Sequence, residues 1–215
     1  MIFLEKTLWE GSSPYNGKVK VVKSSRGVRL VAQGYVQSCT LDKNGNAGFY
    51  WDSFTQDLPP LSKNSKILIL GLAAGTSAKV FTNKFGPITI HGVEIDPLIV
   101  EIGKKYFYLT EPNLKVFIEN AQEFVKNFKT KYDVICVDLF HGYKSPKFLL
   151  ESEFLDNVKK GLTKNGVIII NKICNDHQED VDFVESVGKV FPVNQILRSR
   201  GDIYQQNVLF YGSRQ

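Results

Sequence analysis

Two acids in this chain each close an apolar run, where a carboxylate can be aimed at a ligand: Glu94 after Ile88–Val93, and Asp138 after Tyr132–Val137. Ahead of both lies the turn Gly71-Leu72-Ala73-Ala74-Gly75, which follows the run Ile67–Leu70. Glycines at the ends of such a turn let backbone approach a ligand closely, and the N–H groups of a following helix face it. An acid about twenty residues further on, at the end of the next strand, is placed to accept from both hydroxyls of a ribose. A nucleoside-type cofactor is therefore expected here. The turn lacks the G-x-G-x-x-G spacing of a dinucleotide pyrophosphate site and the lysine of a P-loop, which argues against NAD, FAD and nucleoside triphosphates.

Further polar residues stand at the ends of later apolar runs, Asn171 and Lys172 after Val167–Ile170 among them. Asn120 and Ala121 follow Leu114–Ile118, and the Asn120 amide can meet an adenine edge or cap the helix that starts there. Asp138 would face whatever lies beside the cofactor, as a base or as a loop anchor. His141 sits three residues beyond it, as a base, a substrate contact or an ordinary loop histidine.

These positions require an alternating scaffold. Apolar runs at 66–71, 88–94, 114–118, 132–138, 166–172, 193–198 and 206–212 read as strands, the first as one buried on both faces. Helical patterns fall at 77–85, 97–107, 120–128, 147–162 and 178–190, with Thr76-Ser77 as the expected cap of the first. The pattern predicts an α/β, doubly wound Rossmann-like sheet of seven strands, the last antiparallel. Residues 1–60 read instead as a small β-hairpin region, with turns at Ser24–Gly27 and Asn44–Asn46 and a connecting segment of helical character at Phe49–Phe54. Residues 61–215 would form the cofactor-binding domain. Hairpins this small cannot cover their own faces, so they are expected to pack on the main domain or on a second subunit, and a homodimer is expected.

The 215 residues are 43% hydrophobic and 23% charged, which suits one globular unit of this kind. No apolar run reaches the roughly twenty residues that span a bilayer, and the first ten residues carry acids where a signal peptide would be basic. Cys39, Cys136 and Cys174 have no pairing or metal-like spacing. A cytoplasmic protein without a metal or membrane partner is expected. The net charge of +5 leaves nucleic acid open as a partner. The densest basic cluster, Lys18, Lys20, Lys23, Arg26 and Arg29, alternates with valines and reads more simply as the wet face of a hairpin.

In order along the chain, SPYNGKVKV, GVRLVAQGYVQS, ILGLAAGT, VEIDP, ENAQEFV, DVICVDLF and SPKFLLESEFLDNVKKGLTKNGVIIIN resemble the spermidine synthase (polyamine aminopropyltransferase) family, built on the class I S-adenosylmethionine-dependent methyltransferase fold. The resemblance implies that Glu94 holds the ribose, and Asn120 with Ala121 the adenine. It implies that Gly71, Ala73 and Gly75 flank the methionine-like part and that Gln37 reaches the donor from the N-terminal region. Asp138 matches the family's catalytic aspartate, with Tyr50, His141 and Tyr143 on the side of a small-molecule acceptor. Asn120 stands where the family has aspartate. Ala74 and His141 also replace family acids, and both the decarboxylated donor and a polyamine are cations. On that ground methyl transfer from S-adenosylmethionine to an amine or hydroxyl is the expected reaction. Aminopropyl transfer from decarboxylated S-adenosylmethionine is the alternative, and a non-catalytic cofactor- or polyanion-binding module a third reading.

Overall fold

The computed structural model describes residues 5–127, 129–142, 144–200 and 206–214. Four strands, β1 (Lys6–Ser13), β2 (Gly17–Ser24), β3 (Gly27–Ala32) and β4 (Tyr35–Cys39), form an antiparallel meander. Alternation fixes which side is wet. Lys18, Lys20, Lys23 and Arg26 are exposed, while Val19, Val21, Leu30 and Ala32 are buried. The buried side packs on the main domain, against Ala74, Ile99, Ile102 and Phe107.

A 3-10 turn at Tyr50–Thr55 leads into the larger sheet. Its elements are β5 (Lys66–Leu70), α1 (Thr76–Phe85), β6 (Thr89–Glu94), α2 (Pro97–Tyr106), β7 (Leu114–Ile118), α3 (Ala121–Asn127), β8 (Tyr132–Val137), α4 (Ser152–Gly161), β9 (Leu162–Cys174), α5 (His177–Gly188), β10 (Val193–Arg200) and β11 (Gln206–Ser213). The strand order is β10-β11-β9-β8-β5-β6-β7, with β11 antiparallel to both of its neighbours. This is the expected doubly wound α/β sheet of seven strands. The apolar runs β5 and β8 are buried on both faces because helices cover one side and the Trp51–Phe54 turn with α1 covers the other. The chain reverses its winding between β5 and β8, and ligands of such sheets settle over the carboxyl ends at that point.

Three local expectations are corrected. The first helix is capped by Gly75 in a left-handed conformation (φ 97°), with no side-chain cap. The Thr76 hydroxyl is used elsewhere, accepting from the Cys39 N–H at 2.7 Å and donating to the Cys39 carbonyl at 2.8 Å. The single helix expected at 147–162 is two pieces, a 3-10 turn at Lys147–Leu150 and α4, because Glu151 is extended between them. That break turns Phe148 toward the ligand cleft while Leu149, Phe154, Leu155 and Val158 fill the core. The strand expected at 166–172 runs from Leu162 to Cys174, kept in register by pairing with β11 through Cys174. Among the described residues no helix is long and apolar enough to cross a membrane, and no cluster of His, Cys, Asp or Glu is placed to hold a metal ion.

Candidate active site

A cleft opens over the carboxyl ends of β5, β6, β7 and β8, and the hairpin sheet forms its other wall. Gly71, Ala73, Glu94, Asn120, Ala121, Asp138, His141 and Gln37 all line it. Eight of the residues singled out in the sequence are therefore gathered there.

Its floor is backbone. Gly71 N–H and Leu72 N–H both donate to the Val93 carbonyl at 3.0 Å, which folds the turn back over β6. A Cβ on Gly71 would lie 2.1 Å from the Asp138 carbonyl oxygen, and its φ of 90° also demands glycine. The β5 and β8 ends thus meet at a distance no side chain permits. Ala73, at a φ of 47°, turns its N–H to Glu94 Oε2 at 2.8 Å. Gly75 takes no part in the cleft wall; it caps α1, and a Cβ there would strike Leu109.

Glu94 is buried. Its other oxygen, Oε1, accepts from the Asp96 N–H at 3.0 Å. Burial pushes its pKa up, and the Asp96 and Ala73 N–H groups pull it back. A carboxylate offers about four lone-pair directions, so two remain for a vicinal diol. Asp96 carries the chain of contacts outward: Oδ1 caps α2 at Leu98 N (3.0 Å), while Oδ2 accepts from Asn16 Nδ2 (2.7 Å) and from the Ser13 hydroxyl. Through them the β1–β2 turn brings Tyr15 and Asn16 to the cleft wall. Asn120 caps α3, its Oδ1 accepting from Gln122 N at 2.8 Å, which leaves its amide nitrogen toward the cleft wall it helps line.

Asp138 is 9% exposed and held by three donors: Asn171 Nδ2 at 2.8 Å, Trp51 Nε1 at 3.0 Å and the Tyr50 hydroxyl at 3.1 Å. Burial drives its pKa up to about 6; the bonds from Asn171, Trp51 and Tyr50 pull the other way. Such a carboxylate is charged at neutral pH yet poised to take a proton. Burial and the neighbouring Asp138 charge raise the Tyr50 phenol well above its usual value, so it remains a donor.

Tyr50 does not line the cleft itself; it reaches the site through Asp138 and faces an adjoining cavity. His141 is exposed, bridged to Lys144 through the backbone and 3.4 Å from Gln33 Nε2. Gln37 Nε2 donates to the Gly142 carbonyl at 3.1 Å, so the N-terminal sheet holds the loop after β8 from below. Tyr143 lies outside the described residues. Trp51 and Glu119 escaped the sequence reading as site residues, whereas Asn171 stands at one of the strand ends where the sequence places the site. Trp51 and Asn171 matter because they grip Asp138, and Glu119 adds an exposed carboxylate to the cleft wall. Only the aromatic run Phe49-Tyr50-Trp51 hinted at Trp51.

Comparison with known proteins fixes the lineage. A probable polyamine aminopropyl transferase of Bifidobacterium longum is 30% identical over 85% of this chain and 42% of its own length. The chain spans about half the length of the curated relatives it matches. A spermidine synthase from Thermotoga maritima shares the fold at a TM-score of 0.74, 20% identical, covering 98% of this chain and 73% of that one. Human methyltransferase-like protein 13, 27% identical, superposes less completely, at 0.58 over 68% of this chain and 71% of that one. The expectation of methyl transfer is overturned by the aminopropyltransferase relatives. The physical reason lies in Ala74, whose methyl is wholly buried with the hairpin core while its N–H donates to Ser38 Oγ. It is not part of the cleft wall, so it does not report on which sulfonium the cleft accepts. A model of the spermine/spermidine synthase domain matches residues 56–215, and the chain belongs to that family.

Proposed function

We propose that the protein is a polyamine aminopropyltransferase, moving an aminopropyl group from decarboxylated S-adenosylmethionine to an amine. The observation that carries this reading is the Asp138 carboxylate, buried beside the nucleoside cleft and fixed by Tyr50, Trp51 and Asn171. The family and the aminopropyltransferase relatives support the choice of transferred group.

In this reading Glu94 takes the ribose hydroxyls, and Asn120 with Ala121 borders the base. The donor's cationic end, brought over Gly71, meets the Asp138 carboxylate that lines the cleft beside it. The acceptor nitrogen attacks the carbon attached to the sulfonium on the side opposite sulfur. An N–C bond forms as the C–S bond breaks, and the bonding pair returns to sulfur, leaving a neutral thioether. The positive charge passes to the acceptor nitrogen, and its proton goes to Asp138 or to water. Alignment of the two partners supplies most of the rate, with Asp138 as orienting base.

The test is incubation with decarboxylated S-adenosylmethionine and a panel of primary amines, read by product mass. A thioether nucleoside and an amine enlarged by one aminopropyl group are the expected products. Absence of aminopropylated product across the panel would overturn the reading.

A further inference from the structure

The first hairpin turns on Pro14, Tyr15 and Asn16 alone, since Ser13 of β1 pairs with Gly17 of β2. Gly17 takes the left-handed conformation (φ 59°) with which loops of this length close. The tip of so short a surface loop is ordinarily mobile. This one is bolted down. Ser13 Oγ accepts from the Tyr15 N–H at 3.0 Å and the Asn16 N–H at 3.2 Å, and donates to Asp96 Oδ2. Asn16 Nδ2 donates to the same carboxylate oxygen at 2.7 Å. Ser13 and Asp96 are both buried, so water competes little for these bonds.

The anchor is shared with the site. The Asp96 N–H donates to Glu94 Oε1 at 3.0 Å, and Asp96 Oδ1 caps α2. One residue therefore fixes both the hairpin tip and the acid proposed for the ribose. What the tip offers the cleft is Tyr15, 41% exposed and lining the wall together with Ile95. A nucleoside makes its hydrogen bonds at its edges, and its faces need apolar or aromatic cover. A large ring left in water beside such a cleft is available for that task. Asn16 lines the same wall, but its amide nitrogen is held on Asp96 and serves the anchor.

We infer that Tyr15 is a donor-binding residue whose ring covers the nucleoside from the hairpin side, held there by the Ser13–Asp96–Asn16 node. Tyr15 touches the ligand, and Ser13 is a positioning residue that acts through it. The inference rests on the nucleoside reading of the cleft and not on which group is transferred.

The experiment is calorimetric binding of 5′-methylthioadenosine, the thioether product, to the parent, Tyr15→Ala, Tyr15→Phe, Ser13→Ala, the Ser13→Ala/Tyr15→Ala pair and Glu94→Ala. Donor KM and kcat are measured alongside. Tyr15 stands at an exposed tip, so its variants keep the fold. Tyr15→Ala should weaken binding at least about tenfold, and Tyr15→Phe less than about threefold, because the ring makes the contact. Ser13→Ala should weaken binding about fivefold and raise KM without lowering kcat, yet add nothing once Tyr15 is alanine. A merely structural serine would lower affinity by the same factor in both backgrounds, and that result would overturn its positioning role. Unchanged affinity in Tyr15→Ala beside a weakened Glu94→Ala would overturn the inference and leave the nucleoside reading standing. Unchanged affinity in both variants would remove the two together.

Discussion

Replacing Asp138 by asparagine separates what this carboxylate does for chemistry from what it costs the fold. Its pKa rises from 3.8 to about 6 on folding, chiefly by burial. At about 1.36 kcal/mol per unit, the folded state favours the protonated form by about 3 kcal/mol. The sign follows from the raised value: this stabilisation is fully present below pH 3.8 and is lost as pH rises through about 6. Near neutral pH the parent therefore bears a buried charge at a cost of about 3 kcal/mol. Asp138→Asn removes that pH dependence. About 2 kcal/mol of it is lost between pH 4.5 and 8, so the fall in melting temperature over that range should shrink by about 4–8 °C for a chain of this size. The variant also turns an amide N–H₂ or a single carbonyl toward three donors, so part of the gain at pH 8 is returned in lost hydrogen bonds. Activity should move the other way. The parent's kcat/KM should rise with pH along a limb with its midpoint near 6, and the variant should lose about 100-fold or more with little change in donor affinity. Thermal scans and rate profiles over the same buffers check both halves. An unchanged pH dependence of stability in Asp138→Asn would refute the claim that this carboxylate is charged and buried.

Three further outcomes are expected. Glu94→Ala should weaken binding of the thioether product by about 2–4 kcal/mol in calorimetry, since two ribose hydroxyls lose a charged acceptor; unchanged affinity would remove Glu94 from the site. Gly71→Ala should lower the unfolding free energy by more than about 2 kcal/mol in denaturant titration, because the new Cβ meets the Asp138 carbonyl at 2.1 Å and the φ of 90° is strained for alanine. A homodimer is proposed, with light scattering expected to give twice the 24.3 kDa chain mass at micromolar concentration; a monomer mass would sink it.

What the sequence disclosed and what it withheld divide along a physical line. Runs such as Ile67–Leu70 and Tyr132–Val137 state their own burial, and in a doubly wound sheet a polar residue after such a run lands at the ligand edge. Glu94, Asp138 and Asn120 were legible for that reason. Ala74 was misread because its importance was inferred from a position in a motif, whereas the direction of its side chain depends on the hairpin sheet packed against it. Gly75 likewise shares the turn but serves the helix start and its contact with Leu109. Trp51 was hidden for a different reason: its indole crosses from a connecting segment to an acid 87 positions away, and no local pattern encodes a contact of that range. The broken helix at Glu151 was invisible because Lys147–Gly161 keeps helical composition throughout, and tertiary packing of Phe148 and Leu149 decided the break.

The division at residues 60 and 61 separates two sheets, but the contacts argue that it does not separate two functions. The carboxylate proposed to hold the ribose is oriented by Asp96, and Asp96 is gripped by Ser13 and Asn16 of the hairpin sheet. The glycine turn is tied at Ala74 to Ser38, and the start of α1 is tied at Thr76 to Cys39. Asp138 depends on Tyr50 and Trp51 from the connecting segment. Glu94 and Asp138, the acids proposed to hold the ribose and to orient the acceptor, thus each have a partner, direct or once removed, among residues 13–51. The buried valines of β2 have their cover on α2 and the glycine turn, so the small sheet loses its core if it is cut away. A chain shortened to residues 61–215 would expose that apolar surface and leave Asp138 with Asn171 as its one remaining side-chain donor among those described here. Burial and activity at this site are therefore properties of both sheets together, and the N-terminal meander is as much a part of the proposed active site as the glycine turn it covers.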